Sequence, residues 1–176
     1  LILTEHSTPN AKPYMEGREI GRFETNWVGR YIDYVPEQMY SPRSPDLFEQ
    51  PKLVAQSMLS KKRLVATFDP DYKYVEQSLV CIVPQDGFPS PSEEHPSLLY
   101  VLTLINSTLV SYYFARLIIG NSLGGGLIHA TPGSQSRLPI RRIAFVTPED
   151  ERARLVEEGK RLYFETLEKL GLKVEK

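Results

Sequence analysis

The chain has few of the residues on which most enzymatic chemistry depends. Its 176 residues include a single cysteine, Cys81, and only three histidines. One cysteine excludes an intramolecular disulfide and fits a reducing compartment. The histidines, His6, His95 and His129, are far apart in the sequence and have no second histidine or cysteine at ligand spacing. The pattern therefore argues against a zinc site.

Catalytic motifs are also missing. The chain has no Walker phosphate loop and no Gly-x-Ser-x-Gly nucleophile elbow. Pro70-Asp71 is followed by Glu76-Gln77-Ser78, which lacks the lysine of a nuclease Glu-x-Lys partner. An Asn-Pro-Pro-Tyr sequence, which stacks a flipped base in adenine methyltransferases, does not occur. We therefore expect no catalytic site, and no metal or cofactor, in this chain, and interpret it as a binding domain.

A strong charge of either sign is absent. The formal net charge is −1 and the sequence pI is about 6.4, well below the basic balance typical of a free nucleic-acid-binding domain. Any basic surface must therefore be local. The longest apolar segment, residues 98–119, is interrupted by Asn106, Ser107 and Arg116, and no charged n-region opens the chain. We therefore expect neither a membrane span nor a signal peptide. We expect a cytoplasmic location without membrane contact. Because the chain begins Leu-Ile-Leu-Thr, we also expect it to be part of a longer protein.

The most informative stretch runs from Phe48 to Asp69. Alternating and β-branched residues predict two strands, Lys52–Met58 and Leu64–Phe68, joined by Ser60-Lys61-Lys62-Arg63. The stretch therefore predicts a hairpin with a positive tip. Three adjacent cations in a turn are typical of a solvated connection and equally compatible with a nucleic-acid contact, so both interpretations stay open here.

The remaining patterns predict an α+β fold, in which a mixed or antiparallel β-sheet core carries a helix pair and a long C-terminal amphipathic helix. Residues 1–146 should form the binding domain, and the helix of residues 147–176 should pack on it or project from it. The predicted elements besides the hairpin are strands over 27–35, 78–83 and 138–146, and helices over 98–105, 108–119 and 147–170. Ser107 and Thr147 are the predicted N-caps of the last two helices.

Several segments, taken in order, resemble one family. They are Lys12-Pro-Tyr-Met-Glu-Gly-Arg-Glu-Ile20, Leu47-Phe-Glu-Gln-Pro-Lys-Leu-Val54, Leu64-Val-Ala-Thr-Phe-Asp69, Leu104-Ile-Asn-Ser-Thr-Leu109 with Tyr112-Tyr-Phe114, and Leu138-Pro-Ile140 before the last helix. Their order and spacing resemble the TaqI-like C-terminal specificity domain, the target recognition domain of adenine-specific DNA methyltransferases and of fused restriction-modification enzymes.

Two positions depart from the family pattern. An Arg-Tyr pair common soon after the first segment is represented here either by Gly21-Arg22-Phe23 or by the later Arg30-Tyr31. The usual Leu-Pro-Ile-Pro ends in Arg141 instead of proline. Both departures leave the order of the segments intact.

The resemblance implies a domain that recognises a short sequence in double-stranded DNA. A separate methyltransferase domain of the same parent protein, a Type II restriction-modification enzyme or an adenine-specific DNA methyltransferase, would then bind S-adenosylmethionine and flip the target adenine for N6 methylation. The predicted DNA-binding residues combine cations and one amide able to contact phosphates or base edges: Lys12, Arg18, Arg22, Lys52, Lys61, Lys62, Arg63, Gln135, Arg137 and Arg141. Arg18 and Lys52 match the family pattern directly.

Two alternatives remain at this stage. The chain could be half of a Type I restriction specificity subunit, with the last helix as a coiled-coil spacer, although about 22 residues without sustained heptads favour this less. It could also be a protein-interaction module whose apolar helix pair docks a partner. The latter predicts no salt-dependent DNA binding.

Overall fold

The computed structural model describes residues 2–59, 63–84, 98–119, 128–140 and 148–169. The strands in these ranges are β1 (Ile2–Leu3), β2 (Ala11–Met15), β3 (Ile20–Gly21), β4 (Glu24–Thr25), β5 (Tyr31–Asp33), β6 (Lys52–Gln56), β7 (Met58–Leu59), β8 (Ala66–Asp69), β9 (Tyr74–Val75), β10 (Leu79–Ile82) and β11 (Ile128–His129). The helices are α1 (Leu98–Ile105), α2 (Thr108–Tyr113) with a π-helical continuation (Phe114–Ile118), α3 (Pro132–Gln135) and α4 (Glu149–Lys169).

The centre of the molecule is an antiparallel sheet of three strands in the order β10-β6-β8. The predicted hairpin is confirmed, although its paired strands end at Gln56 and restart at Ala66. Past Ser57 the chain leaves this sheet, and β7 pairs with β11 instead. The hairpin therefore contributes strands to two sheets.

Both faces of the β10-β6-β8 sheet are covered. On one face Leu53 and Ala55 belong to the main core with Leu102 of α1 and Phe114 after α2. On the other, Val54 packs with residues from β2, β3 and β10, namely Met15, Ile20 and Leu79. Burial on both sides explains why β6 has apolar residues at successive positions rather than strict alternation.

A second sheet of four strands has the order β1-β5-β2-β9, in which β2 and β9 are parallel and the other pairs antiparallel. Helices and mixed sheets together confirm the α+β class. The predicted strand over residues 27–35 is realised only at Tyr31–Asp33. Gly29 has φ +79°, a left-handed conformation that interrupts extended pairing just before it.

The helix pair has the predicted break and cap. Asn106 ends α1, and the Ser107 side chain accepts from the Val110 N–H at 3.1 Å as the N-cap of α2. The pair reaches the length and apolar composition of a membrane span only across a 62° bend, and no single described helix reaches it.

The terminal helix α4 packs on α1. The hydroxyl oxygens of Thr103 and Thr166 lie 2.6 Å apart, and Tyr163 packs against the main core. Lys169 near the end of α4 places its Nζ 5.4 Å from the centroid of the Phe23 ring. The helix therefore lies on the domain. Residues 141–147, which include most of the predicted strand over 138–146 and the predicted boundary at 146, lie outside the described residues, so the division at that point stays a prediction.

Candidate nucleic-acid interface

The chain leaving the hairpin tip is fixed to the helix pair by two polar side chains. Asn106 Oδ1 accepts from the Ala66 N–H at 3.1 Å, and its Nδ2 donates to the Ala66 carbonyl at 2.9 Å. The Ser111 hydroxyl accepts from the Leu64 N–H at 3.2 Å. These side chains supply the partners that a neighbouring strand would give. Arg63, directly before Leu64, is exposed and is thereby held beside the helix pair.

Arg22 lies at the tip of the short β3–β4 hairpin, next to the same helix junction. Its Nη2 donates to the Asn106 carbonyl, and the Phe23 N–H donates to the Ala66 carbonyl at 3.1 Å. Phe23 has φ +65°, which turns the chain tightly enough for both contacts. Arg22 is exposed and close to the strand that follows the hairpin tip. Asn106 was not among the predicted site residues, yet it ties both hairpins to the helix pair.

Arg18 is a strongly exposed predicted cation in the turn after β2. Its side chain is 73% accessible and its Nη2 lies 3.0 Å from Glu16 Oε2. Behind it, Arg30 bridges Glu16 and Glu19 at 3.0 and 2.8 Å and is largely buried. Burial alone would raise the pKa of Glu19, but hydrogen bonds from the Glu16 and Val28 N–H groups and from Arg30 outweigh it and lower that pKa. The charged network therefore holds the Arg18 turn in place.

Lys12 belongs to a different part of the surface. Its Nζ lies 2.7 Å from Glu49 Oε1 and 5.8 Å from the centroid of the Tyr74 ring. Tyr74 donates its hydroxyl hydrogen to the same Glu49 oxygen at 2.8 Å. The hydrogen bond from Lys12, with that from Tyr74, lowers the pKa of Glu49. Lys12 is half-exposed, and its charge is already paired.

Lys52 is not on the surface. Its side chain is fully buried, and its Nζ donates to Asp69 Oδ2 at 2.6 Å and to the Phe48 carbonyl at 2.8 Å. Asp69 also holds Lys73 and accepts from the N–H groups of the following turn. In this position Lys52 has no route to DNA, and the prediction that it contacts DNA is not supported. A sequence shows the charge but not the partner that a strand pairing brings opposite it.

The late predicted residues divide between interior and surface. Gln135 in α3 is buried, with its Nε2 donating to the Ala130 carbonyl at 2.9 Å. A base contact by Gln135 is therefore unsupported as well. Arg137, two residues later, is exposed. Lys61, Lys62 and Arg141 lie outside the described residues.

The end of β6 brings several of these segments together. Gln56, Met58 and Arg18 line one open cleft. Met58 is opposite His129 in the β7–β11 pair, and the Ala130 N–H donates to the Ser57 carbonyl at 2.7 Å. The segment that carries Arg137 therefore joins the β6 end where Arg18 lies. Lys12 is near the opposite end, since its partner Glu49 adjoins Phe48, which contacts Lys52.

Two exposed residues at this edge, Met58 and His129, were not among the predicted site residues. No sequence signal marks them, because their proximity to Arg18 arises only from strand pairing. Among the residues that the structure describes, no group of three His, Cys, Asp or Glu side chains is arranged to hold a metal ion. The described edge therefore combines the exposed Arg18 and Arg137 with polar side chains, which suit contacts to DNA phosphates and base edges.

Comparisons with known proteins identify the family of the chain. A search of curated proteins found no match to the chain. The family model of the TaqI-like C-terminal specificity domain matches residues 12–140, which is well over half of the chain and includes both hairpins and the helix pair. The chain therefore belongs to the TaqI-like C-terminal specificity domain family, the DNA-recognition domains of restriction-modification enzymes.

Proposed function

We propose that this chain recognises a short sequence in duplex DNA and positions it for N6-adenine methylation by a methyltransferase domain outside the chain. In this proposal that other domain binds S-adenosylmethionine and holds the flipped adenine, because the Asn-Pro-Pro-Tyr sequence that stacks a flipped base is absent from this chain. The parent protein is an adenine-specific DNA methyltransferase or a Type II restriction-modification enzyme, located in the cytoplasm, and its nuclease activity, if present, belongs to a further domain.

One observation carries the proposal above all. Arg18 and Arg137 are exposed in two segments that contact the end of β6, and Arg63 is exposed where the chain returns from the hairpin tip. The backbone around them is fixed by side-chain hydrogen bonds from the Glu16–Glu19 network and from Asn106 and Ser111. Rigidly placed arginines in a family of DNA-recognition domains support backbone-positioning and base-reading contacts.

A near-neutral net charge is compatible with this function. Non-specific affinity arises from phosphate contacts and rises with their number. A recognition domain attached to a methyltransferase domain needs fewer of them, because the second domain adds its own contacts and raises the effective concentration of DNA. A few local arginines are therefore sufficient.

The proposal is tested by titrating fluorescent duplex DNA with the full chain at about 25 mM and 150 mM salt, where electrostatic binding differs strongly. We expect binding at low salt that weakens at high salt. A triple variant, Arg18→Gln, Arg63→Gln and Arg137→Gln, should lose at least tenfold in affinity. The matched control, Arg154→Gln, Lys160→Gln and Arg161→Gln on the exposed side of α4, removes equal charge and should bind nearly as wild type.

Two results would contradict the proposal: no binding at low salt, or equal losses in the two triple variants. The methylation part has its own test in the parent sequence. An Asn-Pro-Pro-Tyr motif ahead of Leu1 would support it, and a parent protein without a methyltransferase motif would rule it out.

A second candidate function rests on α2. Leu109, Tyr112 and Leu117 are 76%, 63% and 66% exposed on the helix and its π-helical continuation. Their exposure favours a protein contact through the helix pair. If this were the sole function, DNA binding would be absent at both salt concentrations. The spacer role in a Type I subunit is less favoured, because α4 packs on α1 through Thr103, Thr166 and Tyr163.

A further inference from the structure

A shallow open cleft of about 390 Å³ lies at the end of β6. It is formed by the turn after β2, the β6–β7 junction and the turn before β10. Its lining residues are Glu16, Gly17, Arg18, Gln56, Met58, Glu76 and Ser78. Because three separate parts of the chain meet here, the cleft depends on the tertiary fold and has no signature in the sequence.

Short polar contacts fix the walls of the cleft. Gln56 Nε2 donates to the Gly17 carbonyl at 2.8 Å, and the Ser78 hydroxyl donates to Glu76 Oε2 at 2.7 Å. A Cβ at position 17 would come within 2.8 Å of Ser78 Oγ. Any larger residue there would displace the Ser78 hydroxyl from Glu76. The cleft therefore has a defined shape before any ligand arrives.

The carboxylates of the cleft differ in how fully they are paired. Glu16 is bonded through Oε1 to Arg30 and through Oε2 to Arg18, both at 3.0 Å. Glu76 uses Oε2 for Ser78, and its Oε1 has no hydrogen-bond partner in the part of the chain that the structure describes. Arg18 is held by one nitrogen and is otherwise exposed. One acceptor and one set of guanidinium donors thus remain available.

The charge of the cleft favours a base edge over a phosphate. Glu16, Glu19 and Glu76 against Arg18 and Arg30 leave a net charge of −1 around the cleft. The Glu76 carboxylate, which has no cationic partner among the described residues, would therefore repel a phosphate. A base edge in the major groove presents amino donors beside carbonyl and ring-nitrogen acceptors. Such an edge suits a carboxylate and a guanidinium lying in one cleft.

The pairing pattern selects among the base pairs. In a guanine–cytosine pair, the N4 amino group of cytosine lies beside O6 and N7 of guanine, which accept a bidentate arginine. An adenine–thymine pair offers an arginine no comparable pair of adjacent acceptors, and the thymine methyl group occupies its edge. The donor set of the cleft therefore matches guanine–cytosine best.

We infer that this cleft reads a guanine–cytosine base pair in the major groove, with Arg18 donating to guanine O6 and N7 and Glu76 accepting from the cytosine N4 amino group. The inference rests on the proposed function and assigns part of the specificity to two named side chains. Gly17 and Gln56 act as positioning residues, which keep the two walls at their separation.

The experiment is a selection of bound duplexes from a random pool by the full chain, followed by sequencing and by affinity measurements on single-substituted duplexes. The wild type should prefer guanine–cytosine at one or more positions of its site. Arg18→Ala and Glu76→Gln should each lose roughly tenfold or more of the discrimination at one and the same position. Glu76→Gln keeps an acceptor for Ser78 but adds an amide donor, which cannot receive the cytosine amino group.

Arg18→Lys provides a variant that keeps the charge. It should retain the salt dependence of binding and still lose guanine preference, because lysine lacks the bidentate fork. Arg154→Ala and Glu157→Gln, exposed on α4, are the matched controls and should leave the sequence preference unchanged. Circular dichroism spectra check that each variant is folded.

The outcomes separate the inference from the function on which it rests. Arg18→Ala could instead weaken binding to all sequences alike and reduce the slope of the logarithm of the association constant against the logarithm of salt by about one unit. In that case Arg18 is a phosphate contact and the inference is overturned. An unchanged preference in folded Arg18→Ala and Glu76→Gln overturns it too, while the proposed function stands. A wild-type chain without DNA binding or sequence preference contradicts the proposed function itself.

Discussion

Lys52 begins β6 as a cation with no exposed surface. Its Nζ lies 2.6 Å from Asp69 Oδ2, and Asp69 also pairs with Lys73 at 3.3 Å. Removing two charges from water costs free energy that their attraction roughly offsets, so the pair is weak evidence for net stability. The Asp69 carboxylate also accepts from the N–H groups of Asp71 and Lys73 and so fixes the turn after β8, which an apolar residue at position 69 could not do.

Lys52→Ala should destabilise the chain by about 3–5 kcal/mol, because it leaves the Asp69 carboxylate buried without its nearest cation. Urea unfolding followed by circular dichroism measures the loss. Lys160→Ala, at an exposed position of α4, is the control and should change the unfolding free energy by less than about 0.5 kcal/mol. A stable Lys52→Ala variant with weakened DNA binding would show that Lys52 is a DNA contact after all.

Glu19 links stability to pH. Its pKa is lower in the folded chain than the usual value of 4.5, so the folded state binds a proton less readily than the unfolded state. The stabilisation is therefore complete above about pH 4.5 and decreases as the pH falls toward the folded pKa.

We expect Glu19→Gln to flatten the pH dependence of the unfolding free energy as the pH falls below the usual value of 4.5, while lowering stability near neutral pH. Chemical unfolding at several pH values measures both effects. Glu37→Gln, at an exposed position, should leave the profile parallel to that of the wild type. A Glu19→Gln profile that is also parallel would assign the acid dependence to other carboxyl groups.

At the scale of elements, the junction of α1 and α2 acts as a partner for β8. Asn106 makes two hydrogen bonds to Ala66, and its own carbonyl accepts from Arg22. The β3–β4 hairpin, the central hairpin and the helix pair therefore meet at one residue, through the side chain and the backbone carbonyl of Asn106. Loss of the Asn106 side chain should alter the placement of the central hairpin against the helix pair.

Asn106→Ala should cost about 2–3 kcal/mol, since it leaves the buried Ala66 N–H without a partner. Hydrogen exchange should show faster exchange of the Ala66 amide. DNA binding should also weaken, because the chain that carries Arg63 after the hairpin tip is no longer held in place. Asn26→Ala, at an exposed asparagine, is the control. Unchanged protection of the Ala66 amide in Asn106→Ala would contradict the proposed anchoring role.

At the scale of the whole molecule, the charge is nearly balanced while several individual cations are exposed. Five of the predicted DNA-binding residues are cations with at least partial exposure: Lys12, Arg18, Arg22, Arg63 and Arg137. Three more cations, Lys61, Lys62 and Arg141, lie outside the described residues. The total number of these cations limits how many DNA phosphates the chain can neutralise.

The logarithm of the DNA association constant should therefore fall with the logarithm of salt concentration with a slope of roughly −2 to −7. A titration over five salt concentrations measures the slope. A slope near zero would show that binding does not involve phosphates. A slope steeper than about −8 would require contacts from cations beyond the predicted set.

Elements that depend on local patterns were predicted correctly, whereas features that depend on distant residues were not. The hairpin, the Ser107 cap, the helix pair and α4 follow from periodicity and capping residues, which act over a few neighbouring positions. The strand over residues 27–35 was predicted too long, because the left-handed Gly29 is set by the surrounding fold. Lys52 was predicted as a DNA contact from its match to the family pattern, and Gln135 from the capacity of an amide to contact a base edge, yet both side chains are buried and bonded within the fold.

The sequence by itself determined the α+β class, the central hairpin, the family and the expectation of a DNA-recognition domain, since these depend on local patterns and on the order of short segments. Only the tertiary structure decided which cations are exposed, that Asn106 joins two hairpins to the helix pair, and that Arg18 and Glu76 line one cleft. The physical reason is that burial and pairing depend on residues distant in sequence. Lys12 and Glu49, Lys52 and Asp69, and Gly17 and Glu76 become neighbours only when the strands pair.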